Sequence, residues 1–182
     1  MATELELEKT FLVSELPPQI NGAQHERIED GFITPYQNQP VLRLRHRGNK
    51  FEITKKAALD QNDASAHHEH TIDLTEQEYN ALLSSFPLKI RKIRYYVSVY
   101  GKQAEIDIFG GDLSGLITVD FEFKTPEEMQ SFQPPEFCLR DVTQEQVGSA
   151  GKMAGLTYAN VQSDLETFGY QPIYFQEGQS VV

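Results

Sequence analysis

The sequence lacks several features that secreted, membrane-bound and nucleic-acid-binding proteins need. One cysteine, Cys138, occurs in 182 residues, which excludes an internal disulfide and any metal site built from several cysteines. No apolar run approaches the length of a membrane span, so no membrane partner is expected. The acidic N-terminus lacks the basic region and apolar stretch of a signal peptide, and we therefore expect a cytoplasmic location.

Positive charge is also scarce, with 16 lysines and arginines against 27 acidic residues and a net charge of −11. Nucleic acids need a broad basic surface to meet their phosphate backbones, so a nucleic-acid partner is not expected. However, 11 of the 16 basic residues fall within residues 43–56 and 89–102. This concentration of cations in an acidic chain predicts a local anion site.

The N-terminal segment alternates at the two-residue period of a β-strand. Leu5 and Leu7 fall on one face, and Glu4, Glu6 and Glu8 fall on the other. Neighbouring carboxylates repel one another, so this face either points to water or is buried against cations. Those cations would be metal ions or basic side chains.

Other segments show the same alternation and predict further strands. Their polar faces carry the following charged residues: Arg43, Arg45 and Arg47; Lys56; Glu69; Lys92 and Arg94; Glu105 and Asp107; Asp120 and Glu122. Gly48-Asn49 predicts a hairpin turn, and residues 26–33 predict a short strand within a long connection over 14–40. The polar segment 57–66 is interpreted as a loop.

Helices are predicted where capping residues precede an apolar stripe. Thr75-Glu76-Gln77-Glu78 forms a capping box for a helix that ends before Pro87, and Thr125-Pro126 opens a second helix. Thr143 is expected to start a third helix. A fourth is expected over residues 158–168.

Two arrangements fit strands that each have one ionic and one apolar face. In an open sheet the ionic face would point to water. In a closed barrel the ionic faces, which carry opposite signs in blocks, would share an interior, and the helices would cover the apolar faces outside. We favour closure, which predicts a single α+β domain over residues 1–182.

The motifs follow one another in an order that resembles a known family. Glu6-Leu7-Glu8-Lys9-Thr10-Phe11-Leu12-Val13 is similar to a signature Glu-x-Glu-x-Lys followed by Phe-Leu-Val, except at Thr10. Leu42-Arg43-Leu44-Arg45, Lys92-Ile93-Arg94-Tyr95, Glu105-Ile106-Asp107 and Asp120-Phe121-Glu122 follow. On these motifs, residues 4–154 resemble the CYTH superfamily, also called triphosphate tunnel metalloenzymes, whose members hydrolyse or cyclise triphosphates. Residues 155–182 would form a C-terminal helical segment.

The resemblance implies an eight-stranded antiparallel closed barrel, flanked by helices, whose charged tunnel binds a triphosphate with Mg²⁺ or Mn²⁺. The substrate-binding residues would be Arg43, Arg45, Lys56, Lys92 and Arg94, since paired N–H donors suit phosphate oxygens. The metal ligands would be oxygen donors, which hard cations prefer: Glu6, Glu8, Glu69, Glu105, Asp107, Asp120 and Glu122. Glu6, Glu8 and Lys56 would be catalytic.

Thr10 occupies the position where the family signature has lysine, a residue thought to help activate the attacking water in relatives. Lys9 stands one residue early, so a regular strand points it outward and a bulge would turn it inward. Three functions therefore remain open: hydrolysis of inorganic tripolyphosphate to pyrophosphate and phosphate, action on an organic triphosphate such as thiamine triphosphate or ATP, and non-catalytic polyphosphate binding. A homodimer is also left open.

His67, His68 and His70 lie close together in the sequence, and imidazole clusters can bind zinc. In a strand, however, His68 and His70 share a face that His67 opposes. We therefore do not favour a zinc site, and we expect His67 to face the tunnel.

Overall fold

The computed structural model describes residues 4–33, 41–60, 62–178 and 180–181. The strands are β1 Glu4–Val13, β2 Gln24–Phe32, β3 Val41–Arg47, β4 Lys50–Asp60, β5 Asp63–Leu74, β6 Leu88–Val99, β7 Lys102–Phe109, β8 Ile117–Phe123 and β9 Cys138–Asp141. The helices are α1 Glu76–Leu82, α2 Pro126–Ser131, α3 Ala150–Met153 and α4 Tyr158–Thr167. None of these described helices has the length and apolar character needed to cross a membrane.

Eight of the strands close into an antiparallel barrel, as predicted. Their order is β5-β4-β3-β2-β6-β7-β8-β1, and β1 pairs with β5 to complete the circle. β1 does this by dividing its length: residues 4–7 pair with β5, and residues 7–12 pair with β8. β9 adds to the end of β1 through Phe11, Leu12 and Val13. The α+β fold class and the closed barrel are therefore confirmed.

Charge lies inside the barrel, and the apolar core lies outside it. Residues that pair directly across strands point to the same side, and these pairs include Glu8 with Glu122 and Arg94 with Asp107. Their sequence neighbours point outward, where Leu7, Ile106 and Phe121 are buried in the main apolar cluster. This cluster includes Phe132, which follows α2. Apolar packing between the outer face of the barrel and α2 thus replaces the apolar interior of an ordinary barrel.

A second apolar cluster closes over one end of the barrel. It joins Phe32 and Phe109 on the strands to Met153 on α3 and Leu165 on α4. Tyr170, beyond α4, fixes this cluster to the barrel, because its hydroxyl donates to Gly115 O (2.8 Å) and accepts from Ile117 N (2.8 Å). The helical part of the C-terminal segment is α4, and residues 171–176 follow it without helix or strand.

Several local predictions are confirmed. Thr75 and Glu78 form the predicted capping box of α1, and α1 buries Tyr79 beside Phe86 and Leu44. Gly48 and Asn49 connect β3 to β4, and Gly48 has φ 53°, a left-handed conformation that glycine adopts without strain.

Two local predictions are wrong. Residues 57–66 do not form a loop, because β4 runs to Asp60 and β5 starts at Asp63; Ala57 and Ala58 pair with His68 and His67. Thr143 does not start an α-helix either. Its hydroxyl donates to Asp141 Oδ1 (2.6 Å) and accepts from the backbone N–H of Thr10 (3.1 Å), and the next helical turn is a 3-10 segment at Gln146–Gly148.

Candidate active site

The barrel encloses a cavity of about 1380 Å³, to which all eight of its strands contribute inward side chains. Every residue that the sequence singled out for substrate or metal lines this cavity. These residues are Glu6, Glu8, Arg43, Arg45, Lys56, Glu69, Lys92, Arg94, Glu105, Asp107, Asp120 and Glu122. The structure thus brings them together, while their individual roles remain predictions.

One group of these residues surrounds Lys56 where β4, β5 and β1 adjoin. Lys56 Nζ donates to Glu8 Oε1 (2.9 Å), forms an ion pair with Glu6 and lies 3.6 Å from Glu69 Oε1. His67 completes what we call the Lys56 cluster, because it pairs directly with Glu6 across β1 and β5. One ammonium group therefore faces three carboxylates, which leaves the cluster with excess negative charge.

The Lys56 cluster has unused acceptor atoms. Glu6 Oε2 and Glu69 Oε1 are buried, and no described side chain gives either of them a hydrogen bond of acceptable geometry, although both lie near the Lys56 ammonium. Burial raises the pKa of Glu6 to about 7, and the charge of Glu8 adds to the shift. Burial opposes ionisation of Glu8 as well, but Lys56 outweighs it and lowers the pKa of Glu8.

This donor set fits a divalent cation. Ligand atoms of Glu6, Glu8 and His67 lie within 4.8 Å of one another, a spacing that one ion could bridge. Carboxylate oxygens are the ligands that hard divalent cations prefer. Because burial penalises ionised carboxylates that lack a counter-charge, an added cation would also relieve the excess negative charge.

A second group surrounds Arg94 on β6, β7 and β8, and we call it the Arg94 cluster. Arg94 donates from Nε to Asp107 Oδ1 (2.7 Å) and from Nη2 to Asp107 Oδ2 (2.6 Å) and Asp120 Oδ2 (3.0 Å). It also contacts Glu105, and Lys92 contacts Asp107. Unlike the Lys56 cluster, this group uses the planar fork of a guanidinium to occupy its carboxylates.

A third group is the row of arginines on β3. Asp30 holds Arg45 through two hydrogen bonds of 2.6 and 2.8 Å. Burial of Asp30 works against its ionisation, but Arg45 outweighs it and holds the pKa of Asp30 well below its usual range. Arg43 and Arg47 are different, because the buried Nε of each finds no acceptor among the described residues. These two donors are available to an anion in the cavity.

The arginine row and the Lys56 cluster adjoin each other. Arg43 Nη2 lies 3.9 Å from Glu69 Oε1. Free N–H donors and free carboxylate oxygens are therefore exposed to the same space. An anion that carries a metal ion would meet partners for both of its components there.

Thr10 faces the cavity, and its hydroxyl donates to Asp120 Oδ1 (2.8 Å). Lys9 points to the other side of β1, where its Nζ lies 3.9 Å from Asp141. The β1–β8 register runs without interruption from Leu7 to Leu12, so no bulge turns Lys9 inward. The prediction of an outward Lys9 is confirmed.

Asp30 and Arg47 line or adjoin the site but are not among the predicted site residues. Arg47 lies on the same face of β3 as Arg43 and Arg45, so the two-residue alternation of the strand could have predicted it as a site residue. Asp30 lies on the same face as Phe32 in β2, but its link to Arg45 depends on the β2–β3 register, which no local pattern reveals.

The histidine cluster is not assembled in the structure. His67 is buried and lines the cavity, whereas His68 and His70 are exposed on the outer face of β5. A zinc site made from these three histidines is therefore ruled out by the strand geometry. The expectation that His67 faces the tunnel is confirmed.

Comparison with known proteins identifies the family. The chain is 30% identical over 142 residues to an inorganic triphosphatase from Nitrosomonas europaea, and the match covers 77% of this chain and 90% of that protein. This chain belongs to the CYTH superfamily. Its Thr10 and outward Lys9 are thus variations within the triphosphate tunnel metalloenzymes. No family model matches the chain.

Solved structures agree with this membership. A crystal structure of an inorganic triphosphatase is 27% identical, with a TM-score of 0.61, and the alignment covers 85% of this chain and 95% of that one. A candidate adenylate cyclase from Bacillus halodurans is 16% identical, with a TM-score of 0.53, over 98% of this chain and 97% of that one. The second likeness concerns the fold alone.

Proposed function

We propose that this protein is a divalent-metal-dependent triphosphatase that hydrolyses inorganic tripolyphosphate to pyrophosphate and phosphate. The proposal rests on the distance of 3.9 Å between Arg43 Nη2 and Glu69 Oε1, which places the arginine row next to the Lys56 cluster. A relative with this tunnel is an inorganic triphosphatase, which supports the choice of substrate.

The arginines would bind and orient the phosphate chain. Arg43 and Arg47 offer unused Nε donors, and Arg45 is held in place by Asp30. Guanidinium groups form paired, charge-assisted hydrogen bonds with phosphate oxygens. Lys92 and Arg94 would contact the chain from the opposite strands, with their carboxylate partners limiting how far they move.

Glu6, Glu8 and Glu69 would hold Mg²⁺ or Mn²⁺, and Glu105, Asp107, Asp120 and Glu122 are proposed as further oxygen ligands. When bound, such an ion would polarise a phosphoryl oxygen and orient water for attack on the terminal phosphorus. Attack would form a new bond from the water oxygen to that phosphorus and break its bond to the bridging oxygen, so that pyrophosphate leaves and the proton of the water passes to solvent. Lys56 remains an ammonium group there, because Glu8 and Glu6 outweigh its burial and raise its pKa.

The test is phosphate release from tripolyphosphate in Mg²⁺ or Mn²⁺, with EDTA as the control. We expect metal-dependent release from the wild type and its loss in Arg43→Gln, which removes a free donor without disturbing the Arg45–Asp30 pair. Lys55→Gln on the outer face of β4 is the matched control and should retain activity. Release that is unaffected by EDTA, or that survives Arg43→Gln, would refute the assignment.

Thr10 favours a second candidate, a polyphosphate-binding protein without catalysis. The cavity position where the family signature has lysine holds a hydroxyl instead, which donates to Asp120. Calorimetric binding of tripolyphosphate without phosphate release would support this candidate. Hydrolysis gained in Thr10→Lys would support it further, and rapid release by the wild type would exclude it.

A further inference from the structure

The proposed hydrolysis uses a metal ion bound by carboxylate oxygens. It gives no role to His67, which is also a member of the Lys56 cluster. Its side chain is only 5% exposed, and its Nδ1 is buried without a hydrogen-bond partner in the described part of the chain. A buried imidazole nitrogen normally has a partner, so this ring lacks one that it would gain from a ligand.

The surroundings of His67 place a ring nitrogen close to carboxylates. Glu6 pairs with it across β1, and Ala58, which carries only a methyl group, pairs with it across β4. Ligand atoms of His67, Glu6 and Glu8 lie within 4.8 Å of one another. Glu6 Oε2 also accepts no hydrogen bond of acceptable geometry from the described residues, and its ion pair with Lys56 is the contact that a metal ion would replace.

We infer that His67 is a metal ligand that, with Glu6 and Glu8, makes a site for a first-row transition-metal ion in preference to Mg²⁺. Imidazole suits first-row transition-metal ions such as zinc, iron and nickel, whereas magnesium is bound through oxygen. The ion would compete with Lys56 for Glu6 and Glu8. The inference deepens the proposed function, on which it rests for the location of the metal.

The test uses the full chain without substrate and Mn²⁺ as the probe. Pulsed electron paramagnetic resonance of the Mn²⁺ complex should show coupling to an imidazole nitrogen. This coupling should be absent in His67→Gln and present in His68→Gln, which changes an exposed histidine on the opposite face of the same strand. Because the wild-type spectrum is informative by itself, the test does not depend on the folding of a variant.

Calorimetry gives the second measurement. Loss of a residue that hydrogen-bonds to a metal ligand typically lowers metal affinity by about 10- to 100-fold. Loss of His67, a ligand itself, should therefore weaken Mn²⁺ binding by about 10- to 100-fold or more. Mg²⁺ binding should change by less than about threefold, since magnesium does not use the nitrogen. An Mn²⁺ complex without nitrogen coupling, absence of Mn²⁺ binding, or equal Mn²⁺ affinity in His67→Gln would overturn the inference.

These outcomes are separate from those of the hydrolase test. Nitrogen coupling without phosphate release would refute the triphosphatase and leave His67 as a ligand. Phosphate release in Mg²⁺ from a protein that shows no nitrogen coupling would do the reverse.

Discussion

The Lys56 and Arg94 clusters line the same tunnel and have the same ratio of carboxylates to principal cation. They differ in how completely hydrogen bonds and counter-charges compensate those carboxylates. Each places one principal cation against three carboxylates. Arg94 is hydrogen-bonded to all three of its carboxylates, and Lys92 adds a second cation. Around Lys56, Glu6 Oε2 and Glu69 Oε1 are ion-paired but accept no hydrogen bond of acceptable geometry from the described residues, and His67 Nδ1 has no hydrogen-bond partner among them.

Charge alone therefore does not distinguish a structural cluster from a binding cluster. A guanidinium can serve several acceptors at fixed angles, whereas an ammonium is a point charge on a flexible stem. The Arg94 cluster can therefore be stable by itself, and the Lys56 cluster gains most from an added cation. Four predictions test this contrast.

Arg94→Met should give the largest loss of stability. Removal of one partner from a buried ion cluster typically costs about 3–5 kcal/mol, because the remaining charges stay buried without compensation. Among the described residues, Asp107 would then keep Lys92 and Asp120 would keep the Thr10 hydroxyl, while the guanidinium that joins the three carboxylates would be lost. Urea unfolding at pH 7 measures the change.

Arg91→Met is the matched control for this variant. Arg91 is on the exposed face of the same strand, where its Nε donates to Glu29 at 2.8 Å. Loss of an exposed ion pair should cost less than about 1 kcal/mol. Equal stabilities of the two variants would contradict the structural role of Arg94.

Lys56→Met should destabilise the protein by a smaller amount, about 1–3 kcal/mol in EDTA, because Glu6 can relieve the loss by taking up a proton. Saturating Mg²⁺ should then restore much of the difference; at 100 times Kd a ligand contributes about 2.7 kcal/mol. Urea unfolding with and without metal measures both effects. Lys55→Met on the outer face should show neither, and failure of metal to rescue Lys56→Met would count against a cation site there.

Stability in EDTA should fall as the pH rises from 5 to 8. The pKa values of Glu6 and Asp120 are raised from 4.5 and 3.8 to about 7, chiefly by burial, so the folded state holds protons that the unfolded state has released. His67 acts oppositely, because burial lowers its pKa from 6.5 to about 4 and costs stability as the pH falls through that interval.

Two carboxyl groups should outweigh one imidazole, with a net fall in the free energy of unfolding of about 3 kcal/mol between pH 5 and 8. Unfolding measured at pH 5, 6, 7 and 8 tests the slope, and Glu6→Gln should flatten it. A stability that increases over this range would show that the carboxylates are better compensated than the geometry indicates.

Lys9→Met should have the smallest effect. Lys9 lies outside the tunnel, 3.9 Å from the half-exposed Asp141, so its removal should change the free energy of unfolding by less than about 0.5 kcal/mol. Phosphate release should be unchanged. A large loss of activity would mean that Lys9 contributes to catalysis from outside the barrel.

The faces of the strands could be predicted because alternation is a local property. Glu8 inward and Lys9 outward follow from a period of two, as do Lys92 and Arg94 on one face. The partners could not be predicted. Glu6 meets His67 only because β1 closes the barrel against β5, and β9 is a four-residue strand that pairs with β1 about 130 positions away.

Because of the same alternation, neighbouring positions in the barrel wall have different roles: one packs in the apolar core and the next lines the tunnel. Ile106 belongs to the apolar core, and Asp107, the next residue, belongs to the tunnel. Substitutions at inner positions outside the Arg94 cluster would therefore change which anion the tunnel accepts while the outer packing keeps the barrel folded. A library that randomises Arg43 and Arg47 on β3, whose Nε atoms have no acceptor among the described residues, would explore new ligand specificities in a scaffold of nearly constant hydrophobic content.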